Sequence, residues 1–424
     1  MTHQILVLGA GYAGLAAAGR AAHTIRGNGL DARVTLVNAA PDFVERVRLH
    51  QVAAGQSVGV HPLTTSLDGT GIDLVVGLVE QVDTERRTVR VRTGREDGTA
   101  PLERELGYDT LVHALGSHEG DAGVPGVAEH THHVATLSGA RALERRIREE
   151  RPRALAVVGG GFTGLEVAAE LAESHPDVRI ELVTRGRVAA DASPRGRSHV
   201  RRVLRRLGVA VREHASVCEV DAAGLRLADG SRVRADLVVW NAGFGIAGPA
   251  AGTGIEVDAD GRAVVDGAQR SVSHPDVLVV GDAAHAPGPR GGALRMSCAM
   301  GLPMGWIAAD TATARVAGTE PGHTSYGYLF QCVSLGRRDG LIQFVRPDDS
   351  PVGFVLTGRL AALYKEYVVS SAYGGLRGGQ GRADQYLALV RWSARRLSRR
   401  ADALTRRRGL RERASSAPSP RSPR

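Results

Sequence analysis

Residues Leu155 to Leu171 read LAVVGGGFTGLEVAAEL. An apolar run, Leu155 to Val158, enters a turn holding Gly159, Gly161 and Gly164, and a segment rich in helix formers leaves it. Strand, G-x-G-x-x-G turn and helix in that order make a seat for a dinucleotide pyrophosphate. The first Gly makes the tight turn, the second lets backbone approach phosphate, and the third lets helix and strand pack closely. The phosphates then sit on the helix N-terminus, where unpaired N–H groups and the helix dipole favour anions. Phe162 and Thr163 fill the positions between the last two glycines and belong to the same turn.

A single such match also describes an ordinary glycine turn. This chain has two. Ile5 to Leu8 form the first apolar run, Gly9, Gly11 and Gly14 follow at the same spacing with Tyr12 and Ala13 between them, and Leu15 to Ala22 continue as an alanine-rich helix. Two such units about 150 residues apart predict two nucleotide cofactors, one handing electrons to the other.

The 424 residues suffice for two or three domains, and 43% hydrophobic content is ordinary for a globular protein. Cys218, Cys298 and Cys332 are too far apart for a C-x-x-C pair or a zinc cluster, so no metal site is expected and a reduced, cytoplasmic setting fits. The net charge of +9 suggests nucleic acid until it is divided along the chain. Residues 391 to 424 hold twelve Arg against Asp402 and Glu412, a net of +10, which leaves the first 390 residues at −1. The body is therefore near neutral and no specific nucleic-acid partner is expected. Ile5 to Ala18 lack the basic flank of a signal peptide, and no uninterrupted apolar run reaches the roughly 18 to 20 residues of a membrane span.

Along the chain, Val34 to Val37 make the second strand of the first unit, and Asn38 stands where a carboxylate would hold the ribose hydroxyls. In the following DFVERVRLH, Asp42 to His50, Arg46 and Arg48 either meet cofactor oxygens or form a solvated face. Residues 72 to 92 alternate as a β-ribbon would, with a turn at 83 to 87. Tyr108 to Ser117 form a strand that ends near Ala114 and Gly116, and Ala235 to Phe244, containing Gly243, repeat that pattern after the second unit. Pro152 stops the arginine-rich helix of 138 to 151.

The second unit's next strand, Ile180 to Thr184, ends without a ribose-binding acid and is followed by Arg185 and Arg187. Arginine pairs with a 2′-phosphate where a carboxylate would repel it, so NADPH is favoured over NADH. Glu166 lies in the first turn of the second helix, where it either complements the dipole or faces the nicotinamide. Val277 to Ala284 form a buried strand ending in Gly281 and Asp282, with the carboxylate placed to hydrogen-bond a flavin ribityl chain.

Taken together, GAGYAG at 9 to 14, ALGS at 114 to 117, GGGFTGLE at 159 to 166, NAGF at 241 to 244 and VGDA at 280 to 283 resemble the pyridine-nucleotide-dependent FAD oxidoreductases of the glutathione-reductase-like fold. Within that group the chain looks most like type II NADH dehydrogenases and apoptosis-inducing-factor-like oxidoreductases. The resemblance implies an α/β protein with two Rossmann-like domains and a small α+β C-terminal domain. Residues 1–118 and 246–320 would bind FAD and 119–245 NAD(P)H, with an α+β region at 321–376, a basic amphipathic helix at 382–408 and a disordered tail at 409–424. By motif match, Gly9, Gly11, Gly14, Asn38 and Asp282 would contact FAD, and Gly159, Gly161, Gly164 and Glu166 would belong to the NAD(P)H side. No side chain is assigned as catalytic, because hydride transfer runs between the cofactors.

Three departures narrow the activity. Residues 39 to 60 contain no Cys, against disulfide reductase and sulfide:quinone reductase chemistry. The stretch that carries an alanine-glutamine motif near the quinone in type II enzymes reads MSCAMGLPM, 296 to 304. The F-x-G-x-x-x-H element of N-hydroxylating monooxygenases is not found. The expected activity is hydride transfer from NAD(P)H to flavin and on to a quinone or other small acceptor. A redox-sensing flavoprotein acting through partner binding and a ferredoxin-type reductase are the alternatives.

Beyond residue 320, Tyr326 to Phe330, Leu341 to Val345 and Val352 to Leu356 read as strands and Leu360 to Ser371 as a helix. In related enzymes this region supplies a homodimer surface or the acceptor side. Tyr364, Tyr367 and Tyr373 face either the flavin or a small core. Gly374 to Gly381 read as a flexible break. Leu387, Val390, Ala394, Leu397, Ala401 and Leu404 then form an apolar helical stripe among arginines, suited to anionic lipid, an acidic partner or the protein body. A peripheral position on the cytoplasmic membrane is one outcome of that choice.

Overall fold

A computed structural model describes residues 1–94, 102–246, 253–289, 291–377 and 383–394. Two five-stranded parallel sheets repeat one plan. In the first, the order is Val277–Val279, Thr110–His113, His3–Leu8, Ala32–Asn38, Ile72–Val76. In the second it is Thr131–His132, Leu237–Trp240, Ala154–Val158, Arg179–Val183, Ala210–Arg212. Each apolar run quoted above is the central strand of its sheet, buried on both faces, which explains unbroken hydrophobicity rather than alternation. Each sheet is accompanied by a three-stranded antiparallel meander, at 78–107 and at 217–234.

The first sheet is completed by Val277–Val279, a strand that follows the whole second sheet in sequence. The two chain crossings between the sheets, Ser117–Glu119 and Phe244–Ile246, pair with each other antiparallel. The helix Cys298–Val316 then lies across the first glycine-turn helix, Tyr12–Asn28. Gly305 permits that approach, because a Cβ there would stand 2.2 Å from the Ala13 carbonyl oxygen.

The C-terminal region is an antiparallel sheet, Phe330–Ser334, Gly340–Val345 and Pro351–Thr357, covered by the helix Arg359–Arg377. It is pinned to the second unit where the Gln343 side chain accepts from the Ser193 N–H at 2.9 Å. The covering helix is pinned to the first unit, where Tyr373 stacks on His61 at 3.8 Å and on Phe43 at 5.1 Å between ring centroids.

Four expectations are corrected. Residues 72–76 belong to the first parallel sheet, and the ribbon begins only at Leu78, because Ile72–Val76 pairs along Ala32–Asn38 rather than with its own successor. The first C-terminal strand is Phe330–Ser334 and not Tyr326 to Phe330, since Tyr326 and Tyr328 are buried in the first unit's core. The covering helix runs through Gly374 to Arg377, its packing on the first unit outweighing the glycines' low propensity, while residues 378–381 of the expected break lie outside the described residues. Nor do the three tyrosines share one core: Tyr373 stacks on His61 and Phe43, Tyr364 packs edge-on against Phe330 at 5.7 Å with its other side exposed, and Tyr367 is exposed.

Residues 383–394 are helical, and the apolar stripe at Ala383, Leu387, Val390 and Ala394 is buried against the body. Ser393 donates to the Tyr328 carbonyl at 2.9 Å. Of the three readings of that stripe, packing on the body holds for this part, so its apolar face is unavailable to lipid. Residues 395–408, expected to continue the basic helix, and the expected tail at 409–424 lie outside the described residues. Among the described residues no helix is long and apolar enough to cross a membrane, and no His, Cys, Asp and Glu grouping fits a metal ion.

Candidate functional site

Both glycine turns are built alike. A Cβ on Gly14 would stand 1.8 Å from the Gly9 carbonyl oxygen, and one on Gly164 2.0 Å from that of Gly159. Gly9 in turn lies against the Ala114 carbonyl, 2.5 Å from its own ideal Cβ, and Gly159 against the Asn241 carbonyl at 2.7 Å. The ALGS and NAGF motifs are thus the neighbouring strand ends on which the two turns rest. The middle glycines, Gly11 and Gly161, meet nothing within 4 Å, so the space in front of them is open for a phosphate.

The helix starts agree. Tyr12–Asn28 and Phe162–Ser174 begin at Gly11 and Gly161 with no side-chain cap. Leu137–Glu150 and Pro194–Arg206, which lead away from the seats, are capped by Thr136 and Ser193. Uncapped N–H groups facing open space are what a bound pyrophosphate completes.

On the first unit, three strand ends converge. Ser117 Oγ donates to Asp282 at 2.7 Å, and Arg46 donates to the Ser117 carbonyl at 3.0 Å beside Gly116. Gly281 adopts a positive φ of 71° with Ala13 directly behind it, so the Gly281–Asp282 turn abuts the first glycine turn. Asn38 accepts from the Ala10 N–H at 2.9 Å and donates to the Ala40 carbonyl at 2.7 Å, tying the turn to the second strand. The residues assigned to FAD therefore form one contiguous surface, whose open cradle fits a dinucleotide. Arg48 does not reach it, being paired with Glu45 and with Glu366 of the covering helix.

On the second unit, Thr184 packs against Gly160, while Arg185 and Arg187 are exposed at the strand end without an ion-pair partner among the described residues. Gly243 has φ 83° and touches Ala122 across the chain crossings. Glu166 does more than the sequence indicates. Its carboxylate contacts the Lys365 ammonium and accepts from the Ser334 N–H at 3.1 Å, joining the second glycine-turn helix to the C-terminal sheet and helix.

Around that contact lies a buried polar cluster. His50 is 4% exposed, with Ser334 Oγ 3.3 Å from Nε2 and Glu170 3.9 Å away, and Glu170 itself accepts from Gln56. Burial, aided by the positive charges of Lys365 and Arg337, holds the His50 imidazole neutral, well below its usual range. Burial raises the Glu170 carboxyl. Burial and the nearby Arg48 guanidinium push the Lys365 ammonium down to about 7. Lys365 was legible as the chain's only lysine, and Glu170 as a carboxylate within the apolar run VAAEL, but neither signal says what it meets.

Cys298 and Cys332 are free thiols, pushed by burial up to about 11 and about 12. Thiols held protonated at neutral pH are poor nucleophiles.

Two like parallel sheets, each with an open glycine cradle at an uncapped helix, define a class: proteins that seat two dinucleotides and pass reducing equivalents between them. The chain belongs to the pyridine nucleotide-disulphide oxidoreductase family, which matches residues 3–311. The family works with FAD and NADH or NADPH, and this chain is an oxidoreductase of the NADH dehydrogenase-like kind.

An NADH dehydrogenase-like protein of Mycobacterium tuberculosis is 30% identical over 322 residues, covering 71% of this chain and 78% of that protein. A type II NADH:quinone oxidoreductase of Haemophilus influenzae is 26% identical over 334 residues, covering 66% and 73%. Among solved structures, the sulfide:quinone oxidoreductase of Aquifex aeolicus superposes with TM-score 0.74 at 17% identity over 89% of this chain and 92% of that one. NDH2 of Plasmodium falciparum in complex with NADH gives 0.73 at 13% over 92% and 97%. At such identities the structures establish the fold alone.

Proposed function

We propose that the protein oxidises NAD(P)H through FAD and reduces a quinone or another small two-electron acceptor. FAD would lie on the surface formed by Gly9, Gly11, Tyr12, Ala13, Gly14, Asn38, Arg46, Ala114, Gly116, Gly281 and Asp282. NAD(P)H would lie on Gly159, Gly161, Phe162, Thr163, Gly164, Glu166, Arg185 and Gly243. When bound, the flavin supplies hydride acceptance and onward electron transfer.

The observation that carries an acceptor requiring protons is the contact between Glu166 and Lys365. A quinone that takes two electrons must also take two protons, and a buried ammonium with a pKa of about 7 is a proton donor matched to neutral pH. Glu166 would hold the ammonium in place, and the neutral His50 would leave the donor role to Lys365. The high thiol pKa values of Cys298 and Cys332 support this reading over one in which a cysteine takes the electrons.

Anaerobic mixing with NADPH and then with a quinone tests the proposal. Bleaching of the flavin followed by rapid reoxidation is expected, and a reduced flavin that persists in the presence of quinone rejects it.

A further inference from the structure

A cleft of about 290 Å³ opens beside the covering helix, with Lys365 and Ser334 among its lining residues. This size is at the lower end of ligand clefts, roughly 300–1,000 Å³. Its walls come from residues 47–51, 334–338 and 359–369, none of which belongs to either glycine turn or to the strand end at Arg185. Val47, Leu363 and Val369 supply an apolar side. Arg337, Arg338 and Arg359 supply the other, together with Gln51 and the Glu366 carboxylate, which Arg337 and Arg48 already hold.

Those guanidinium charges are only partly answered. Arg337 shares one carboxylate, Glu366, with Arg48, at 3.2 Å and 2.6 Å. Arg338, 86% exposed, has Glu173 at 4.0 Å, and Glu173 is already engaged by the Arg337 N–H. Arg359 has no ion-pair partner among the described residues, and it opens a 19-residue helix, whose first-turn N–H groups and dipole add to the positive field. A neutral quinone needs no such field.

We infer that the acceptor carries an anionic substituent, a carboxylate, sulfonate or phosphate, held by Arg337, Arg338 and Arg359 while its reducible ring system extends along the cleft to Lys365. This rests on the reading that the protein reduces a small acceptor. In the net reaction NAD(P)H and one proton enter and NAD(P)⁺ leaves. The quinone gains two electrons and two protons as hydroquinone, and the anionic substituent is unchanged. The arginines are positioning residues.

The test compares kcat/KM for 1,4-naphthoquinone-2-sulfonate and for neutral 2-methyl-1,4-naphthoquinone, in the holoenzyme and in an Arg338→Gln/Arg359→Gln double variant. The ratio of sulfonate to neutral quinone is expected to fall at least tenfold in the variant, and to fall in the wild type as salt is raised. A ratio unchanged by the substitutions overturns the inference, as does a loss that appears in the KM for NADPH. A lipid phosphate as the anion predicts instead that the variant loses flotation with phosphatidylglycerol vesicles while the ratio stays constant, which also overturns it. If NADPH fails to reduce the bound flavin, the functional reading itself fails, and that is seen before any quinone is added.

Discussion

Lys365 changes charge near neutrality because its ammonium has left water without leaving the neighbourhood of other cations. Its protonated form, the one able to donate, is dominant below about pH 7 and declines above it. Reoxidation by quinone should therefore slow as pH rises through that value, while flavin reduction by NADPH does not follow the same titration. Lys365→Met should remove the titration from the reoxidation step and slow that step about 10²-fold or more, a usual magnitude for losing a general acid; stopped-flow absorbance at several pH values measures both. At the other nucleotide, Arg185 is exposed and free to meet a 2′-phosphate. Arg185→Ala should raise the NADPH KM roughly tenfold or more, the scale of a lost charge-assisted hydrogen bond, and leave the NADH KM near its original value. Equal effects on both coenzymes would reject the role.

At the scale of the element, the glycine turns divide into positions that the protein fills and positions left for a ligand. Gly14→Ala forces a Cβ onto the Gly9 carbonyl, an overpacking that should cost about 1–3 kcal/mol or more and lower the melting temperature of the apoprotein. Gly11→Ala meets no protein atom within 4 Å. It should leave the apoprotein's melting temperature nearly unchanged and yet weaken FAD retention, read from the absorbance ratio of flavin to protein. The two variants separate a steric role from a ligand-binding one within a single motif. The strands were legible in sequence because central parallel strands are buried on both faces and read as unbroken apolar runs. Residues 72–76 were misread because alternation does not say whether a strand pairs with its neighbour in sequence or with one it reaches through a parallel crossover.

For the whole molecule, the C-terminal segment acts as part of the core. Leu387 and Val390 are 2% and 1% exposed and belong to the first unit's apolar cluster. Deleting residues 383–424 should cost about 3–6 kcal/mol, from roughly 1.5–3 kcal/mol for each of these two side chains, and lower the melting temperature. Deleting 395–424 leaves those contacts in place and should lower the melting temperature less. If both truncations melt alike, the packing of this segment does not contribute to stability.

The order of motifs along the chain determined the two nucleotide seats, since a tight turn beside a phosphate demands glycine at fixed spacing and nothing else in the fold can supply it. The sequence also determined the family, through five short motifs in a set order. It left undetermined that Glu166 from one unit, Lys365 from the helix covering the C-terminal sheet and Ser334 between them meet at one point, because contacts across 168 and more residues carry no periodic trace. Nor did the stripe at 383–394 say what it covers, since an amphipathic helix has the same pattern whether its apolar face meets lipid or protein. Only the folded chain, by bringing a complementary apolar surface to that face and desolvating the lysine, decided both.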